Sequence, residues 1–358
     1  MELFWYVVLL SMLAMYMVLD GYDFGAGIVH LIFARNEADK RAIVNAIGPF
    51  WDANEVWLIA SGGVLFFAFP MLYASSFSGF YLPLMIVLWL LIFRAIGIEL
   101  RTFLDNRLWR VLWDASFGVS SLLLALFFGV AVGNIARGVN LGCVEDGVSH
   151  CDPQYFFLPL WNPTFDPRAE HLGVLDWFTV LIGLIGVISL FIHGSNWIIF
   201  KTNVSIKERL KQMAWRMNFV LTFLVILTLS LWHLIHPHPL RNFFVHPWLW
   251  VFPILTFSAL AAMFRLRTFR SEHTGFLWSS LFLLSAFAST AAALYPAFLP
   301  SSNEVNPPLT PWNTAAGAYG LGVGMKWFIV AAVLVGIYMV VQYRVFSGKL
   351  DDSGYGTH

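Results

Sequence analysis

The stretch NAIGPFWDANEVWL, residues 45–58, places Asp52 and Glu55 between tryptophans at the start of the apolar run WLIASGGVLFFAFPMLYA. A run of this length and apolarity predicts a helix that crosses a membrane. Carboxylates beside such a segment cost free energy unless they are solvated, paired or used. The stretch therefore predicts a membrane protein in which these two acids have a specific role.

The composition is that of a membrane protein. Of the 358 residues, 59% are hydrophobic and 12% are charged, whereas an average soluble domain has about 25% charged residues. Lys and Arg number 21, as do Asp and Glu, and this lack of a basic excess argues against nucleic acid as a partner. The N-terminal MELFWYVVLLSMLAMYMVLDGYDFG lacks a positive n-region and a small-residue cleavage site, so we expect a retained spanning helix rather than a signal peptide.

Nine windows are long and apolar enough to span a bilayer, for which a helix needs about 20 residues. We therefore expect an all-α, polytopic protein in which residues 1–358 form one integral membrane domain of about nine helices in bundles. A short Pro- and His-rich connection, LIHPHPLRNFFVHP, joins the sixth and seventh windows, and eight spans are the alternative. The approximate limits are 3–19, 55–73, 79–98, 116–136, 174–194, 216–234, 248–265, 275–295 and 319–342.

Basic residues predict the orientation, because cytoplasmic loops of membrane proteins collect Lys and Arg. With nine spans and the N-terminus outside, 17 of the 21 basic residues fall in inner segments and the C-terminus is cytoplasmic. The longest outer loop, residues 137–173, then contains Cys143 and Cys151, the only cysteines. An oxidising compartment favours their pairing, so we predict a disulfide, with two free thiols as the alternative.

Six acids fall on one side of this topology, the side assigned to the cytoplasm. For a single acid among them, capping of a helix or pairing with a base such as Arg35 is the plainer explanation. We expect Asp20 and Asp23 at the end of the first span, Asp52 and Glu55 at the start of the second, Glu99 at the end of the third and Asp114 before the fourth.

Arg94 lies within the apolar run of the third span and therefore requires a partner. A charge at bilayer depth costs about 2.5–3.5 kcal/mol on insertion scales, and such groups commonly serve a pathway. Taken together, Asp52, Glu99 and Arg94 predict a proton-conducting lane, with static ion pairs as the alternative.

No metal or cofactor site is predicted within the chain. Four histidines crowd the connection LIHPHPLRNFFVHP, but its prolines prevent a helical i, i+4 pair, and no HExxH, CxxC or CxxCH signature occurs. His30 and His193 are expected to be hydrogen-bonded structural residues rather than axial haem ligands. Because Walker, dinucleotide and Ser-His-Asp motifs are also missing from the sequence, any catalysis belongs to a complex.

Six motifs, distributed from the first helix to the last, resemble subunit II of the cytochrome bd-type quinol oxidases. The N-terminal third carries most of this resemblance, and residues 140–290 carry little of it. The motifs are DGYDFGAG (20–27), NAIGPFWDANEVWL (45–58), FPMLYASSFSGFYLPL (69–84), FRAIGIELR (93–101), WRVLWD (109–114) and YPAFLPSS (295–302).

The resemblance implies a multi-pass subunit of a respiratory complex in the bacterial cytoplasmic (inner) membrane. Complexes of this family oxidise quinol, reduce dioxygen to water and generate a proton-motive force by taking protons from the cytoplasm, without pumping. Two b-type haems and one d-type haem belong to subunit I, which implies that this chain is haem-free and supports assembly and the access of protons and dioxygen. The implied partners are subunit I, quinol, dioxygen and the lipid bilayer; whether small single-helix subunits join is left open.

Carried over residue by residue, the resemblance implies a proton route through Asp52 and Glu99, accompanied by Arg94, and an apolar dioxygen passage bordered by Trp57. The family has an aspartate at the position of Glu99, so the reach of this side chain changes by one methylene. The cysteine pair is not part of the family pattern. The remaining acids are expected to hold helix ends and inner loops, and they are Asp20, Asp23, Glu55 and Asp114.

Two other classes of function use the same residues. A proton-coupled secondary transporter would bind a coupling proton on these acids near the bilayer midplane, between paired broken helices, whereas here the acids gather on one side. A purely structural membrane subunit would hold Asp52 and Glu99 in static pairs, and their replacement by Asn and Gln would leave turnover intact.

Overall fold

The computed structural model describes residues 1–203, 206–236, 239–265, 271–351 and 354–355, and the regular structure of this part of the chain is almost entirely helical. Two antiparallel pairs of two-residue strands complete it, β1 with β2 and β3 with β4. The elements are α1 Glu2–Phe33, α2 Glu37–Ile47, α3 Trp51–Ala68, α4 Pro70–Gly79, α5 Tyr81–Leu100, α6 Arg107–Arg137, β1 Val144–Glu145, β2 Val148–Ser149, α7 Trp177–Lys201, α8 Lys207–Trp232, α9 Arg241–Val245, the 3-10 helix Pro247–Trp250, α10 Val251–Met263, α11 His273–Leu294, α12 Pro311–Thr314, α13 Ala318–Val345, β3 Leu350–Asp351 and β4 Gly354–Tyr355.

The all-α, multi-pass fold is confirmed, and all nine predicted windows fall on helices. Within the described residues, seven helices are long and apolar enough to cross a membrane: α1, α5, α6, α7, α8, α11 and α13. The pair α3 and α4 meets the same criteria only as one span bent by 119°, which makes eight. The seventh window falls on the shorter apolar segment Pro247–Met263, so the prediction of nine spans exceeds this count of seven or eight. The orientation of the termini stays a prediction.

The helices run between two ends of the bundle, which we name the α2 end and the disulfide end. Phe33, Trp51 and Leu100 lie at the α2 end, where α1 stops, α3 starts and α5 stops. The disulfide end contains the loop after α6, in which Cys143 and Cys151 are bonded through their sulfur atoms with their Cα atoms 5.6 Å apart.

Helices α1, α6 and α7 form the centre of the bundle and approach one another closely at glycines. A Cβ atom added to Gly25 of α1 would lie 2.7 Å from the Cα of Gly194 in α7. A Cβ added to Gly129 of α6 would lie 2.8 Å from the Cα of Gly183 in α7. Small residues at these positions allow direct backbone contact, which is how helices associate in lipid.

Helix α1 is longer than the sequence analysis predicted. The first span was expected to end near residue 19, but α1 continues to Phe33. Within this extension Gly25 packs against Gly194 of α7. Asp20 and Asp23 consequently lie inside the helix rather than at its end. Asp114 likewise lies within α6, which begins at Arg107 after the N-cap of Asn106.

The predicted second span is bent at Phe69. Pro70 starts α4, and proline fixes its own backbone angle and donates no backbone hydrogen bond, so it suits the first position of a new helix. The carbonyl of Ala68, at the end of α3, accepts a hydrogen bond from the amide of Ala316 at 2.9 Å. Helix α4 therefore leaves the direction of α3 at the disulfide end.

Helix α13 lies on the outside of the bundle. Its buried residues are Leu321 and Gln342, near its two ends. At the α2 end, Gln342 donates to the carbonyl of Pro49 at 2.7 Å, and the ammonium of buried Lys201 donates to the carbonyl of Phe346 at 2.5 Å. These contacts attach α13 to the core chiefly at its ends.

Candidate functional site

A cluster of buried charged residues joins α1, α3 and α5; we define the Arg94 cluster as Asp20, Asp23, Asn54, Glu55 and Arg94. The Arg94 Nη1 donates to Asp20 Oδ1 at 2.6 Å, and its Nη2 donates to Glu55 Oε1. Arg94, Asp20 and Asp23 are fully buried, whereas the side chain of Glu55 is 24% exposed. The cluster thus extends from the interior of the chain to its surface.

Asn54 holds the second aspartate of the cluster. Its Nδ2 donates to Asp23 Oδ2 at 2.8 Å, to Tyr22 Oη at 2.8 Å and to the carbonyl of Leu19 at 3.1 Å. The hydroxyl of Tyr22 is in turn 3.1 Å from the hydroxyl of Tyr343 on α13. Asp23 is therefore positioned by a neutral amide, while Asp20 is positioned by a cation.

Local helix geometry brings these side chains together. Asp20 and Asp23 are three residues apart in α1 and therefore share a face of that helix. Asn54 and Glu55 lie near the start of α3, next to that face. The guanidinium of Arg94 also lies over the ring of Phe24, 4.6 Å from its centroid, which adds a cation–π contact.

The cluster contains three carboxyl groups and one guanidinium. Within the described residues, four of its buried polar atoms have no hydrogen-bond partner. Buried polar groups normally have partners, and each exception needs a physical reason. These atoms are Asp20 Oδ2, Asp23 Oδ1, Asn54 Oδ1 and Arg94 Nε.

Asp52 and Glu99 lie outside this cluster. Both side chains are exposed on the surface of the chain. The described ion pairs of Arg94 are with Asp20 and Glu55, two acids that the sequence analysis had assigned to structural roles. Asp52 precedes Glu55 by three residues and Glu99 follows Arg94 by five, which is about 4.5 Å and 7.5 Å of helix rise. Both acids are thus nearer to the α2 end than the cluster is.

Trp57 lies three residues after Asn54 on α3. Its side chain is partly buried and packs against the main hydrophobic core of the bundle. Its carbonyl accepts a hydrogen bond from the hydroxyl of Ser61 at 2.6 Å. The aromatic ring therefore lies at the border between the core and the outer surface of α3.

A second ionic network, at the α2 end, is centred on Asp114. Its Oδ1 accepts from Arg101 Nε at 2.5 Å and lies 3.2 Å from His30 Nε2, and its Oδ2 accepts from Lys40 Nζ at 2.8 Å. Arg101 also donates to Glu37 at 2.8 Å. Burial alone would lower the pKa of Arg101, but these hydrogen bonds outweigh burial and raise it. The network connects α1, α2, α6 and the end of α5.

The hydrogen bonds of His193 leave it no free nitrogen for a haem. The ring of His193 is hydrogen-bonded on both sides, with Nδ1 at 2.8 Å from Ser279 Oγ and Nε2 at 2.9 Å from the carbonyl of Val18. No ring nitrogen of His193 is left for an iron atom. The Nε2 of His30 faces Asp114, and its Nδ1 is buried without a hydrogen-bond partner among the described residues. Within the described part of the chain, no group of three or more His, Cys, Asp or Glu side chains is arranged to hold a metal ion.

Three polar residues of the site were not identified from the sequence: Tyr22, Asn54 and Tyr343. Tyr22 and Asn54 lie within DGYDFGAG and NAIGPFWDANEVWL, and a polar side chain in such apolar surroundings is a sequence signal for a hydrogen-bonded partner. Tyr343 is 321 residues from Tyr22 along the chain. No local pattern connects the two.

Comparison with known proteins identifies a matching family, relatives in sequence and a solved structure with the same fold. The model of the family described as cytochrome bd terminal oxidase subunit II matches residues 1–346. A probable cytochrome oxidase subunit 2 of Haemophilus influenzae is 28% identical, with 97% of this chain and 94% of the relative covered. The cytochrome bd-I ubiquinol oxidase subunit 2 of Escherichia coli K12 is 29% identical, with 94% and 90% covered. A chain in the structure of bd oxidase from Geobacillus thermodenitrificans has the same fold, with a TM-score of 0.72, 16% identity, and 96% and 98% of the two chains covered.

Proposed function

This chain belongs to the cytochrome bd terminal oxidase subunit II family, and we propose that it is the haem-free subunit of a respiratory complex that oxidises quinol and reduces dioxygen to water. Family membership makes it a multi-pass membrane subunit of an oxidoreductase complex that has haem cofactors, a quinol substrate and a partner subunit I. We place the complex in the bacterial cytoplasmic membrane. It takes protons from the cytoplasm and generates a proton-motive force without pumping.

The observation that carries this proposal is the Arg94 cluster. Ionisable residues within membrane-spanning helices are expensive and usually serve a path for ions or protons. Here three carboxyl groups and one guanidinium occupy a single level of α1, α3 and α5. Reduction of dioxygen inside a membrane consumes protons, so a subunit with carboxyl groups at this depth can supply them.

We assign the entry of protons to Asp52 and Glu99, with Arg94 behind them. The exposure of both side chains suits groups that exchange protons with water or with a neighbouring subunit. Their position between the α2 end and the Arg94 cluster suits a route that starts at the cytoplasmic surface. A carboxylate can accept a proton and release it again, whereas an arginine stays protonated and contributes only its charge.

Access of dioxygen is assigned to the surface around Trp57. Dioxygen is neutral and apolar, so it partitions into apolar surroundings without a charged path. Most of the residues of α3 after Glu55 are apolar, and Ile59 and Phe66 are exposed large hydrophobic side chains on this helix. Protons and dioxygen can therefore approach the partner subunit over different surfaces of the same chain.

The haems, two of b type and one of d type, are assigned to subunit I. They supply the electron transfer and the reduction of dioxygen, and the hydrogen-bonded state of His193 is consistent with their absence from this chain. Asp114, with its partners Arg101 and Lys40, is assigned a structural role in fixing the loops at the α2 end. This chain thereby supports assembly as well as access.

A proton-coupled secondary transporter is the alternative function. Such proteins break helices beside the bound ion, and α3 and α4 do form a broken pair. The break is at Phe69, however, 14 residues from Glu55, or about 21 Å of helix rise. This separation favours the oxidase subunit over the transporter.

The first experiment is an absorption spectrum of the membrane complex purified through a tag on this chain. Bands of b- and d-type haems exclude a transporter, and a pigment-free preparation contradicts the proposal. The second is the quinol-driven oxygen consumption of Asp52→Asn and Glu99→Gln complexes. We expect retained haem bands and turnover reduced by about 100-fold or more. Asp105→Asn, in a loop residue that is paired with Arg110 at the same end, is the matched control and should consume oxygen at the wild-type rate.

A further inference from the structure

We propose that Asp20 and Asp23 share a proton that is held inside the chain and exchanged with the surface through Glu55. This inference rests on the proposed function, because it adds a proton-holding site beside the entry route of Asp52 and Glu99. It uses acids that the sequence analysis had assigned to structural roles.

The charges of the Arg94 cluster require at least one proton. The guanidinium of Arg94 stays protonated, so ionisation of Asp20, Asp23 and Glu55 together would leave two uncompensated negative charges. Unpaired charge in an apolar interior is strongly unfavourable. Protonation of one carboxyl removes half of this excess, and protonation of two makes the cluster neutral.

Geometry indicates which carboxyls hold the proton. Arg94 donates to Asp20 and to Glu55, whereas the described hydrogen bond of Asp23 comes from the neutral amide of Asn54. Asp20 and Asp23 share a face of α1, and each has one buried oxygen without a hydrogen-bond partner within the described residues. A proton on one of these carboxyls provides a donor that the other can accept, as in paired carboxyls that share a site.

Glu55 is the member of the cluster that connects this pair with the surface. Its side chain is 24% exposed, whereas those of Arg94 and Asp20 are completely buried. Both Glu55 and Asp20 accept hydrogen bonds from the same guanidinium, so neutralisation of one carboxylate leaves Arg94 to compensate the other. The protonation of Glu55 and that of Asp20 are therefore coupled.

Proton transfer through the cluster conserves every proton. The carboxylate of Glu55 takes up a proton at the surface and becomes neutral, the proton then moves to the Asp20–Asp23 pair, and Glu55 is again a carboxylate. Arg94 keeps its protons and no electron moves. Two further titratable groups lie beside the cluster: Tyr16 on α1, which interacts with Asp20 more than with Glu55, and Asp52 on α3, three residues before Glu55.

Infrared spectroscopy of the purified complex tests this inference without relying on turnover. A protonated carboxyl absorbs in a distinct carbonyl region, and its band shifts when the proton is replaced by deuterium. We expect a band in the wild-type complex that is lost in Asp23→Asn. In Glu55→Gln we expect the band to remain and its exchange in deuterated water to slow by about tenfold or more. Glu37→Gln removes a carboxylate that also accepts from an arginine, and should alter neither property.

The outcomes separate this inference from the proposed function. The inference is overturned if Glu55→Gln exchanges the proton for deuterium at the wild-type rate, or if Asp23→Asn keeps the infrared band of the wild-type complex. Either result counts even if Asp52→Asn and Glu99→Gln consume oxygen slowly. If the Asp23→Asn complex does not assemble, wild-type complex labelled with ¹³C at aspartate carboxyls replaces it. The exchangeable band must then move on labelling, and an unmoved band overturns the inference. Haem-free preparations would contradict the proposed function instead.

Discussion

Removal of the guanidinium at position 94 should destabilise the chain strongly. In Arg94→Gln the buried carboxylate of Asp20 loses a hydrogen bond of 2.6 Å and its only described cationic partner. Loss of one member of a buried ion pair costs about 3–5 kcal/mol. The contact with Glu55 adds less, because that carboxyl is partly exposed and screened. A cost near 3 kcal/mol lowers the ratio of folded to unfolded protein on the order of 10²-fold.

The assay is the unfolding midpoint of the purified complex, followed by haem absorbance and tryptophan fluorescence, together with the yield of assembled complex. The double variant Arg94→Gln/Asp20→Asn removes the stranded charge and should regain about 1–3 kcal/mol of the loss. Arg110→Gln is the matched control, since Arg110 pairs with exposed Asp105 at 2.9 Å, and should cost about 0–1 kcal/mol. An Arg94→Gln complex as stable as this control, or a double variant no better than the single one, would refute the reasoning.

Three further predictions concern the packing of α1, the disulfide, and the hydrogen bond between Tyr22 and Tyr343. Gly25→Ala should prevent the close contact of α1 with α7, because the added Cβ would lie 2.7 Å from the Cα of Gly194. The yield of assembled complex should therefore fall sharply, and an unchanged yield would contradict this packing. Replacing Cys143 and Cys151 together by serine should cost about 2–3 kcal/mol from the loss of a short closed loop; faster proteolysis of this loop, with unchanged turnover, is the measurement. Tyr343→Phe removes the hydrogen bond to Tyr22 and should lower stability by about 0.5–1.5 kcal/mol; the unfolding midpoint measures this, and a change in quinol-driven turnover would show that the pair has a functional role.

The helical architecture was predictable because every spanning helix carries its own signal in apolar length. Helix ends were less predictable. The first span was expected to end near residue 19, but α1 continues to Phe33 and its Gly25 packs against Gly194 of α7, about 170 positions away. At the bend, Pro70 is a local signal, whereas the hydrogen bond from the amide of Ala316 to the carbonyl of Ala68 joins distant residues. Local sequence carries no information on either contact.

The sequence predicted a group of ionisable residues around Arg94, but only part of the residues that form it. An arginine within an apolar run must have a partner, and the structure provides two. Their identity was not predictable, since Asp20 and Glu55 are separated from Arg94 by 74 and 39 residues. Helical periodicity shows which residues of one helix are neighbours. It cannot show which carboxyl groups of α1 and α3 contact an arginine on α5. The roles of Asp52 and Glu99 in proton transfer stay predictions.

The attachment of α13 near its two ends has a consequence for handling the protein. Between Leu321 and Gln342 its side chains are not buried by the rest of the chain, so in a bilayer acyl chains or a neighbouring polypeptide must solvate that middle portion. Harsh detergents that strip annular lipid should therefore loosen this helix before the α1–α6–α7 centre. Mild extraction in native nanodiscs would keep α13 in its position on the bundle.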